Sequence, residues 1–289
     1  MSGLFYAVIT YIGWGTGDVF GAAASRKIGG FSTTFWVFVA AAILFGLYIP
    51  FDPSGLFRYT PHLLFWNLLL GVLYVAGNVT LNIALMSSNV SVVTTIGGSF
   101  SALVVILSYV FLHQPVSLFQ WIIITLIYVG VGLCTLDIRE LKKGKLVHDR
   151  GLWLALFSMC AWGIYFTFVK GIMGHVGWFW PNYLSLLLFP LILIFMRMTR
   201  EPLQNPIKKH ALVPALLSAA LLRIGDFSFN FGSALGFTTL VAPIAGAYPT
   251  LTAIIGYFVF RDPIKKQQVI GIVLSLIGIV LLSVSTVLL

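Results

Sequence analysis

The sequence predicts an all-α integral membrane protein with ten transmembrane helices, arranged as two inverted five-helix repeats. Three observations carry this prediction: the apolar composition, a motif that recurs at a fixed spacing, and an odd number of apolar stretches in each copy. Hydrophobic residues make up 59% of the 289 residues and charged residues only 9%, whereas soluble domains hold roughly 45–50% and 25%. The chain is therefore too apolar for a soluble fold.

The recurring motif is an apolar helix end, a polar turn with proline, a glutamine, and an apolar run that holds a glycine. It occupies residues 109–130 and again 257–278. Four pairs of identical residues are each 148 positions apart, and residues related by this offset are called repeat equivalents: Trp14 and Trp162, Pro115 and Pro263, Gln120 and Gln268, and Gly130 and Gly278. A constant offset over such distant positions indicates an internal duplication. We predict a first repeat at 1–137, a basic linker at 138–150 and a second repeat at 151–289.

Ten apolar stretches are each long enough to cross a bilayer as a helix, which takes about 20 residues. Backbone polar groups in lipid must be paired within the segment, so each stretch is predicted to be helical. The predicted spans are 4–24, 31–50, 62–86, 90–112, 118–137, 151–171, 178–198, 211–232, 238–260 and 267–288. Small residues at 22–25 resemble a signal-peptide cleavage site, but no basic residue precedes Arg26, which favours a retained first helix.

Five helices in each copy imply that the second copy crosses the membrane upside down. This is the plan of secondary transporters, whose substrate site lies near the midplane between the repeats. The loop charges agree, because 14 of the 17 Lys and Arg residues follow odd-numbered spans. By the positive-inside rule the odd loops are cytoplasmic, which predicts a multi-pass protein of the plasma (inner) membrane with both termini outside.

The second copy of the motif resembles the EamA domain of the drug/metabolite transporter superfamily. In that family a helix with a central proline ends in a turn with an acidic residue, and a helix with spaced glycines follows. The residues that match this pattern are Pro249, Asp262, Gln268, Gly271 and Gly278. The first copy departs from it, with Ser101 at the proline position and Gln114 at the acidic position.

This resemblance covers nearly the whole chain. It implies a transporter of small metabolites such as amino acids, sugars, nucleotide-sugars or organic cations. Many superfamily members are described with both termini in the cytoplasm, whereas the loop charges of this chain predict the opposite orientation.

Charged side chains inside the predicted spans are candidate functional groups, because burying charge in lipid is costly. Asp18 lies in the first span, four residues after Trp14. Arg223 and Asp226 lie near the middle of the eighth span. These three charges either bind a polar solute, with Asp18 as a proton carrier, or, for Arg223 and Asp226, form an ion pair that satisfies only itself.

Amide and carboxyl groups at matched positions of the two copies are the favoured binding residues. Asn78 and Asn82 in the third span correspond to Asp226 and Asn230 in the eighth, so they are predicted to face one central cavity from two sides. Hydrogen bonding between neighbouring helices is the structural alternative for the asparagines. Aromatic side chains predicted to hold an organic solute or a cation are Trp14, Tyr74, Trp162 and Tyr165. Tyr248 is a further predicted site residue, because Pro249 beside it breaks the backbone ladder and frees a carbonyl for a solute.

We predict a secondary transporter that moves a small polar or amphipathic metabolite by alternating access, with an amino acid-like solute favoured. The expected partners are this solute, membrane lipid and a proton as coupling ion, and the chain is expected to be a monomer. No nucleic acid is expected, because the basic residues lie in short loops. An enzyme and a cofactor are not expected, since the sequence has no GxxxxGK[ST] motif and no cluster of histidines with carboxylates. The alternatives are a lipid scramblase or flippase and an intramembrane enzyme.

Overall fold

The computed structural model describes residues 2–87, 96–135, 150–260 and 265–285, and every regular element in these ranges is a helix. The first half contains α1 (Ser2–Ile28), α2 (Gly30–Gly46), the single-turn α3 (Ser54–Phe57), α4 (Pro61–Ser87), α5 (Phe100–Phe111) and α6 (Leu118–Thr135). The second half contains α7 (Arg150–Val176), α8 (Trp180–Leu186), α9 (Pro190–Thr199), α10 (Leu212–Leu235), α11 (Thr238–Gly246), α12 (Tyr248–Phe260) and α13 (Lys266–Ser285). The predicted linker at 138–150 lies outside the described residues except for Arg150.

The lengths and hydropathies of the helices are those of a multi-pass membrane protein. Within the described ranges, seven helical stretches are long and apolar enough to cross a membrane, and two shorter apolar helices accompany them. The seven are Gly30–Phe51, Pro61–Ala84, Gly151–Val176, Trp180–Thr199, Leu212–Leu235, Thr238–Phe258 and Lys266–Ser285, and the shorter two are Ile96–Phe111 and Leu118–Leu133. Helix α1 has 27 residues, about 40 Å at the helical rise of 1.5 Å per residue. The count of ten spans stays a prediction.

Glycine and glutamine residues at equivalent positions of the two copies have the same structural roles. Gly29 and Gly177, which are repeat equivalents, both end the first helix of their copy with positive φ angles of 78° and 89°, a conformation that glycine adopts without strain. The glutamine of the recurring motif caps the last helix of each copy. Gln120 accepts a hydrogen bond from the Ser117 backbone N–H at 2.9 Å, and Gln268 accepts one from Lys265 at 2.8 Å. These bonds satisfy backbone donors that a helix start leaves unpaired.

One helix break recurs at the same position in both copies. The helical segment that leads into α5 breaks at Ser99, and α11 breaks from α12 at Ala247, its repeat equivalent. Pro249 explains the break in the second copy, because its ring removes a backbone donor. Interrupted helices at corresponding positions of two halves mark the region of the binding site in transporters of this plan.

The two halves run in opposite directions through the molecule. Helices α6 and α13 are repeat equivalents and pack extensively on each other. Gln267, at the start of α13, donates to the Leu133 carbonyl near the end of α6, while Ser275 donates to the Ile127 carbonyl further back along α6. Rising numbers on one helix therefore meet falling numbers on the other, and the pair is antiparallel. Because these equivalent helices are antiparallel, the two halves are related by a two-fold axis that is perpendicular to the helices.

The glycines of the recurring motif allow this close approach. A Cβ added at Gly130 would lie 2.5 Å from Ser275 Oγ and 2.7 Å from the Gly271 carbonyl oxygen, and one added at Gly278 would lie 2.5 Å from Ile127 Cγ1. The other extensive contacts obey the same symmetry, because α1 packs on α10 as its equivalent α7 packs on α4. The first helix of each half thus packs against a helix of the other half.

We expect Gly130→Ala to destabilise the protein by roughly 1–3 kcal/mol, because the added methyl group overpacks a backbone contact. Gly256→Ala is the matched control, since no atom lies within 4 Å of its added Cβ. Both changes gain the same helix propensity, so the difference between their thermal unfolding midpoints in detergent isolates the contact between α6 and α13. Equal midpoints would contradict the proposed packing role.

Candidate functional site

A cavity lies where the two halves meet, next to the helix breaks. Its lining residues are Trp14, Asp18, Tyr74, Asn78, Phe100, Trp162, Phe166, Leu222, Arg223, Asp226 and Tyr248. Ten of these eleven form five repeat-equivalent pairs, namely Trp14 with Trp162, Asp18 with Phe166, Tyr74 with Leu222, Asn78 with Asp226, and Phe100 with Tyr248. A cavity lined in this way lies on the two-fold axis that relates the halves.

Asp226 is the most heavily hydrogen-bonded group of the cavity. It leaves only 3% of its surface exposed. Trp14 Nε1 donates to Asp226 Oδ1 at 2.8 Å, and the Tyr74 hydroxyl donates to Oδ2. Arg223 Nη1 lies 2.6 Å from the same Oδ2. A buried carboxylate needs such partners because its charge is otherwise strongly disfavoured away from water.

Arg223 is held by that ion pair and by two aromatic rings. Its Cζ lies 5.2 Å from the centroid of Phe38 and 5.4 Å from the centroid of Tyr74, within the range of a cation–π interaction. Its side chain is buried, and Nε has no hydrogen-bond partner. The guanidinium charge is therefore neutralised by Asp226 before any solute enters.

Asp18 differs from Asp226, because its carboxylate has no direct partner. It lines the cavity and is half-buried. Among the described residues it makes no hydrogen bond and no ion pair, although it lies close enough to Arg223 and Asp226 to feel both charges. Two carboxylates and one guanidinium leave the cavity with a net negative charge when both carboxylates are ionised.

Aromatic rings form most of the remaining wall. The Trp14 ring centroid lies 5.5 Å from those of Phe100 and Phe166 and 5.7 Å from that of Tyr248. Trp162 contacts Phe100 at 5.6 Å. Its indole N–H is buried without a partner, unlike the equivalent N–H of Trp14.

Glycines at equivalent positions make room for the two tryptophans. A Cβ at Gly225 would lie 2.5 Å from Trp14 Cδ1, and a Cβ at Gly77 would lie 2.7 Å from Trp162 Nε1. Each glycine directly precedes a polar residue of the cavity, Asp226 or Asn78. The close helix crossing therefore places an indole beside a polar group in each half.

The structure brings together eight of the eleven predicted site residues in this cavity: Trp14, Asp18, Tyr74, Asn78, Trp162, Arg223, Asp226 and Tyr248. The other three do not line it. Asn82 uses its amide to bond Thr34 Oγ1 and the Asn78 carbonyl. Asn230 is fully buried. Tyr165 is also fully buried, with its ring centroid 4.6 Å from that of Tyr74. Their predicted contact with solute stays a prediction.

Four contributors were not among the predicted site residues. Phe100, Phe166 and Leu222 line the cavity, and Phe38 covers the guanidinium. Three of them had a usable signal, because Phe100 and Phe166 are the repeat equivalents of Tyr248 and Asp18, and Leu222 is that of Tyr74. Phe38 had none, since only the folded chain brings α2 over Arg223.

The cavity is small, with a volume of about 60 Å³. A cavity needs roughly 10–15 Å³ of this kind of volume to hold one water molecule, so this conformation has room for a few waters but not for a metabolite. Within the described ranges, no group of three histidine, cysteine or acidic side chains is placed to hold a metal ion. The chemistry available here is binding by charge, hydrogen bonds and aromatic faces.

Comparisons with known proteins place this geometry in context. A model of the EamA-like transporter family matches residues 1–136 and again 149–284, which confirms the resemblance and the two-repeat organisation. An "Uncharacterized protein MJ1333.1" of Methanocaldococcus jannaschii is 34% identical over 71 residues, covering 25% of this chain and 52% of that protein. The match therefore spans about half the length of that relative.

A solved crystal structure of a protein shares the fold. It superposes with a TM-score of 0.78 at 13% sequence identity, covering 99% of this chain and 97% of the other. At this identity the likeness concerns the fold alone.

We expect Asp226→Asn to destabilise the protein by roughly 3–5 kcal/mol, because it leaves the Arg223 guanidinium buried without its carboxylate. The double variant Arg223→Met, Asp226→Asn removes both charges and is expected to recover most of this loss. Thermal unfolding of the purified variants in detergent measures both effects. A single variant as stable as the double variant would show that the ion pair does not hold the arginine.

Proposed function

Because the chain belongs to the EamA-like transporter family, we propose that it is a secondary transporter that moves a small polar or amphipathic metabolite by alternating access. In this proposal ten helices cross the plasma (inner) membrane as two inverted five-helix repeats. The antiparallel packing of α6 on α13 supports the inversion. The family's activity is transport of solutes across a membrane, and its site in this chain is the cavity on the two-fold axis.

The unpaired carboxylate of Asp18 in an aromatic cavity is the observation that carries the proposed specificity. Arg223 is already neutralised by Asp226, so it is poorly placed to attract an anionic group. Asp18 has no cationic partner of its own, and aromatic faces attract cations. The solute is therefore a small metabolite with a positively charged amino or ammonium group. An amino acid-like solute, which the sequence favours, fits through its amino group.

Alternating access is supported by the size of the cavity and by the helix breaks beside it. Pockets that bury a drug-sized ligand measure roughly 300–1,000 Å³, so the helices must part before a metabolite enters. Breaks at Ser99 and Ala247 lie next to residues that border the cavity, where a membrane protein tolerates irregular backbone. The segments after these breaks begin with Phe100 and Tyr248, which line the cavity.

Asp18 also suits the proposed role of proton carrier. A single carboxylate binds either a proton or a cationic solute, so the two ions compete for one site. Such competition couples the movement of one to the movement of the other. The proposal further places both termini outside, in line with the loop charges, and treats the protein as a monomer.

Solute transport is favoured over the alternatives of lipid scrambling and intramembrane catalysis. Scrambling needs a hydrophilic groove that is open to lipid, whereas Arg223 and Asp226 are buried between helices. Catalysis needs a clustered set of reacting groups. In this cavity Arg223 and Asp226 are committed to an ion pair and its hydrogen bonds, which leaves Asp18 as a single carboxylate.

We expect cationic probes to stabilise the purified protein and neutral probes of the same shape to have no effect. Choline is compared with its neutral carbon isostere, and alanine methyl ester with its N-acetylated, neutral form. Binding at 100 times the dissociation constant adds about 2.7 kcal/mol to stability, which thermal unfolding readily resolves. Asp18→Asn should abolish the effect, while the exposed Glu201→Gln should retain it. Equal stabilisation by the neutral probes would contradict the proposed specificity.

We expect Asp18→Asn to abolish transport driven by a pH gradient, because the amide cannot take up and release a proton. The measurement is uptake into proteoliposomes of the cationic probe that stabilises the protein, with and without an imposed gradient. Uptake by the variant should fall to that of liposomes without protein. Glu201→Gln should respond to the gradient as the unmodified protein does. Gradient-driven uptake that persists in Asp18→Asn would rule out this carboxylate as the proton carrier.

A further inference from the structure

Two equivalent polar pairs of the repeats are in different states. In the first half, Asn82 on α4 donates its amide N–H to Thr34 Oγ1 on α2. The equivalent positions in the second half are Asn182 on α8 and Asn230 on α10. Both asparagines are fully buried, and within the described part of the chain neither their amide nitrogens nor their amide oxygens have a hydrogen-bond partner. The hydrogen bond that forms in the first half therefore has no counterpart among the described residues of the second half.

Unpartnered buried amides are rare in native proteins, since each loses its hydrogen bonds to water and gains none. Asn182 and Asn230 together carry four such atoms, and they stand at the positions equivalent to a hydrogen-bonded pair of the first half. Ordinary side-chain packing does not account for this. Unpartnered amides are expected where a group changes partners between two conformations of the protein. The first half indicates which hydrogen bond these amides form, because Thr34 and Asn82, at the equivalent positions, bond to each other.

The packing of whole helices shows the same difference between the halves. Among the described elements, α4 packs against α2 and has little or no contact with α1. The equivalent helix α10 packs against α7, the counterpart of α1, and has little or no contact with α8, the counterpart of α2. Helices α4 and α10 thus lean toward opposite neighbours, which separates Asn230 from the helix that carries Asn182.

We infer that Asn182 and Asn230 bond to each other in a second conformation, in which the two halves exchange their packing arrangements. In that state α10 moves from α7 onto α8, and α4 moves from α2 onto α1. The bond between Thr34 and Asn82 breaks as the bond between Asn182 and Asn230 forms. This inference rests on the proposed function, for which it supplies the conformational step.

The positions of the two pairs explain what the exchange achieves. Thr34 follows the turn at Gly29, and Asn182 follows the equivalent turn at Gly177. Because the halves are antiparallel, these turns lie at opposite ends of the molecule. Asn82 and Asn230 are each one helical turn beyond a cavity residue, Asn78 or Asp226. One pair therefore closes the cavity toward one end while the other is open, and the exchange reverses this.

A hydrogen bond in one half replaces its counterpart in the other, so neither conformation gains a large advantage. A carrier needs this balance, because a strong preference for one state reduces the population that can bind from the other side. The polar pairs thus act as positioning groups of the transport cycle. They need not touch the solute.

Cysteine cross-linking tests the exchange without knowledge of the solute. Thr34→Cys with Asn82→Cys, and Asn182→Cys with Asn230→Cys, are introduced into a chain whose own cysteines are replaced through Cys134→Ser and Cys160→Ser. We expect each pair to be captured by a short bifunctional thiol reagent when present alone. With both pairs in one chain, capture of one should prevent capture of the other. Double capture in the same molecules, or no capture at 182 and 230 alone, would overturn the inference.

A second pair of variants separates the hydrogen bond from packing. Asn182→Thr copies the residue that the first half uses at this position, and Asn182→Val has the same shape without the hydroxyl group. Using the cysteine pair at 34 and 82 as reporter, we expect Asn182→Val to raise the ratio of captured to uncaptured protein roughly fivefold to tenfold, because the other conformation loses its bond. Asn182→Thr should leave capture near that of the parent. Equal capture in the two variants would overturn the inference.

These outcomes do not depend on the proposed solute or on proton coupling. Loss of cation binding with mutually exclusive cross-links would overturn the specificity and leave the exchange intact. Cation binding with simultaneous cross-links would overturn the exchange and leave the specificity intact.

Discussion

A residue that reaches a two-fold axis meets its own repeat equivalent, and this constraint shapes the whole molecule. It pairs α6 with α13 through Gly130 and Gly278, and it lines the central cavity with matched residues. Both copies must therefore supply residues that fit against each other as well as against their own half. The proposed functional groups are at positions where the copies differ, because each charged residue of the cavity has an apolar or amide residue as its repeat equivalent.

The charge of the cavity depends on these differences. Asp18 is matched by Phe166, and Asp226 by Asn78, so the acidic groups come from different halves. Arg223 has an apolar equivalent in Val75 and neutralises one carboxylate only. The second carboxylate is left among aromatic rings, where burial strengthens its attraction for a cation. The cavity thus has symmetric positions but an asymmetric charge, with one unpaired carboxylate among the described residues.

The recurring motif itself serves structure. Its glutamines cap the last helix of each copy, and its glycines let those helices touch. Most residues that line the cavity lie elsewhere, on α1, α4, α7 and α10, where glycines leave room for the indole rings of Trp14 and Trp162. The same helices carry the asymmetry between the halves, so the proposed binding site and the proposed exchange of packing share these elements.

The sequence by itself determined the membrane class, the duplication and eight members of the cavity, because composition, offset and charge in apolar spans are local signals. Only the tertiary structure decided that Arg223 pairs with Asp226 beneath Phe38 and Tyr74, and that Asp18 stays unpaired. It also separated Asn82, which bonds to Thr34, from Asn230, which has no partner. Equivalent residues share a position in the repeat, but their partners depend on how each half packs, and a sequence offset carries no information about that packing.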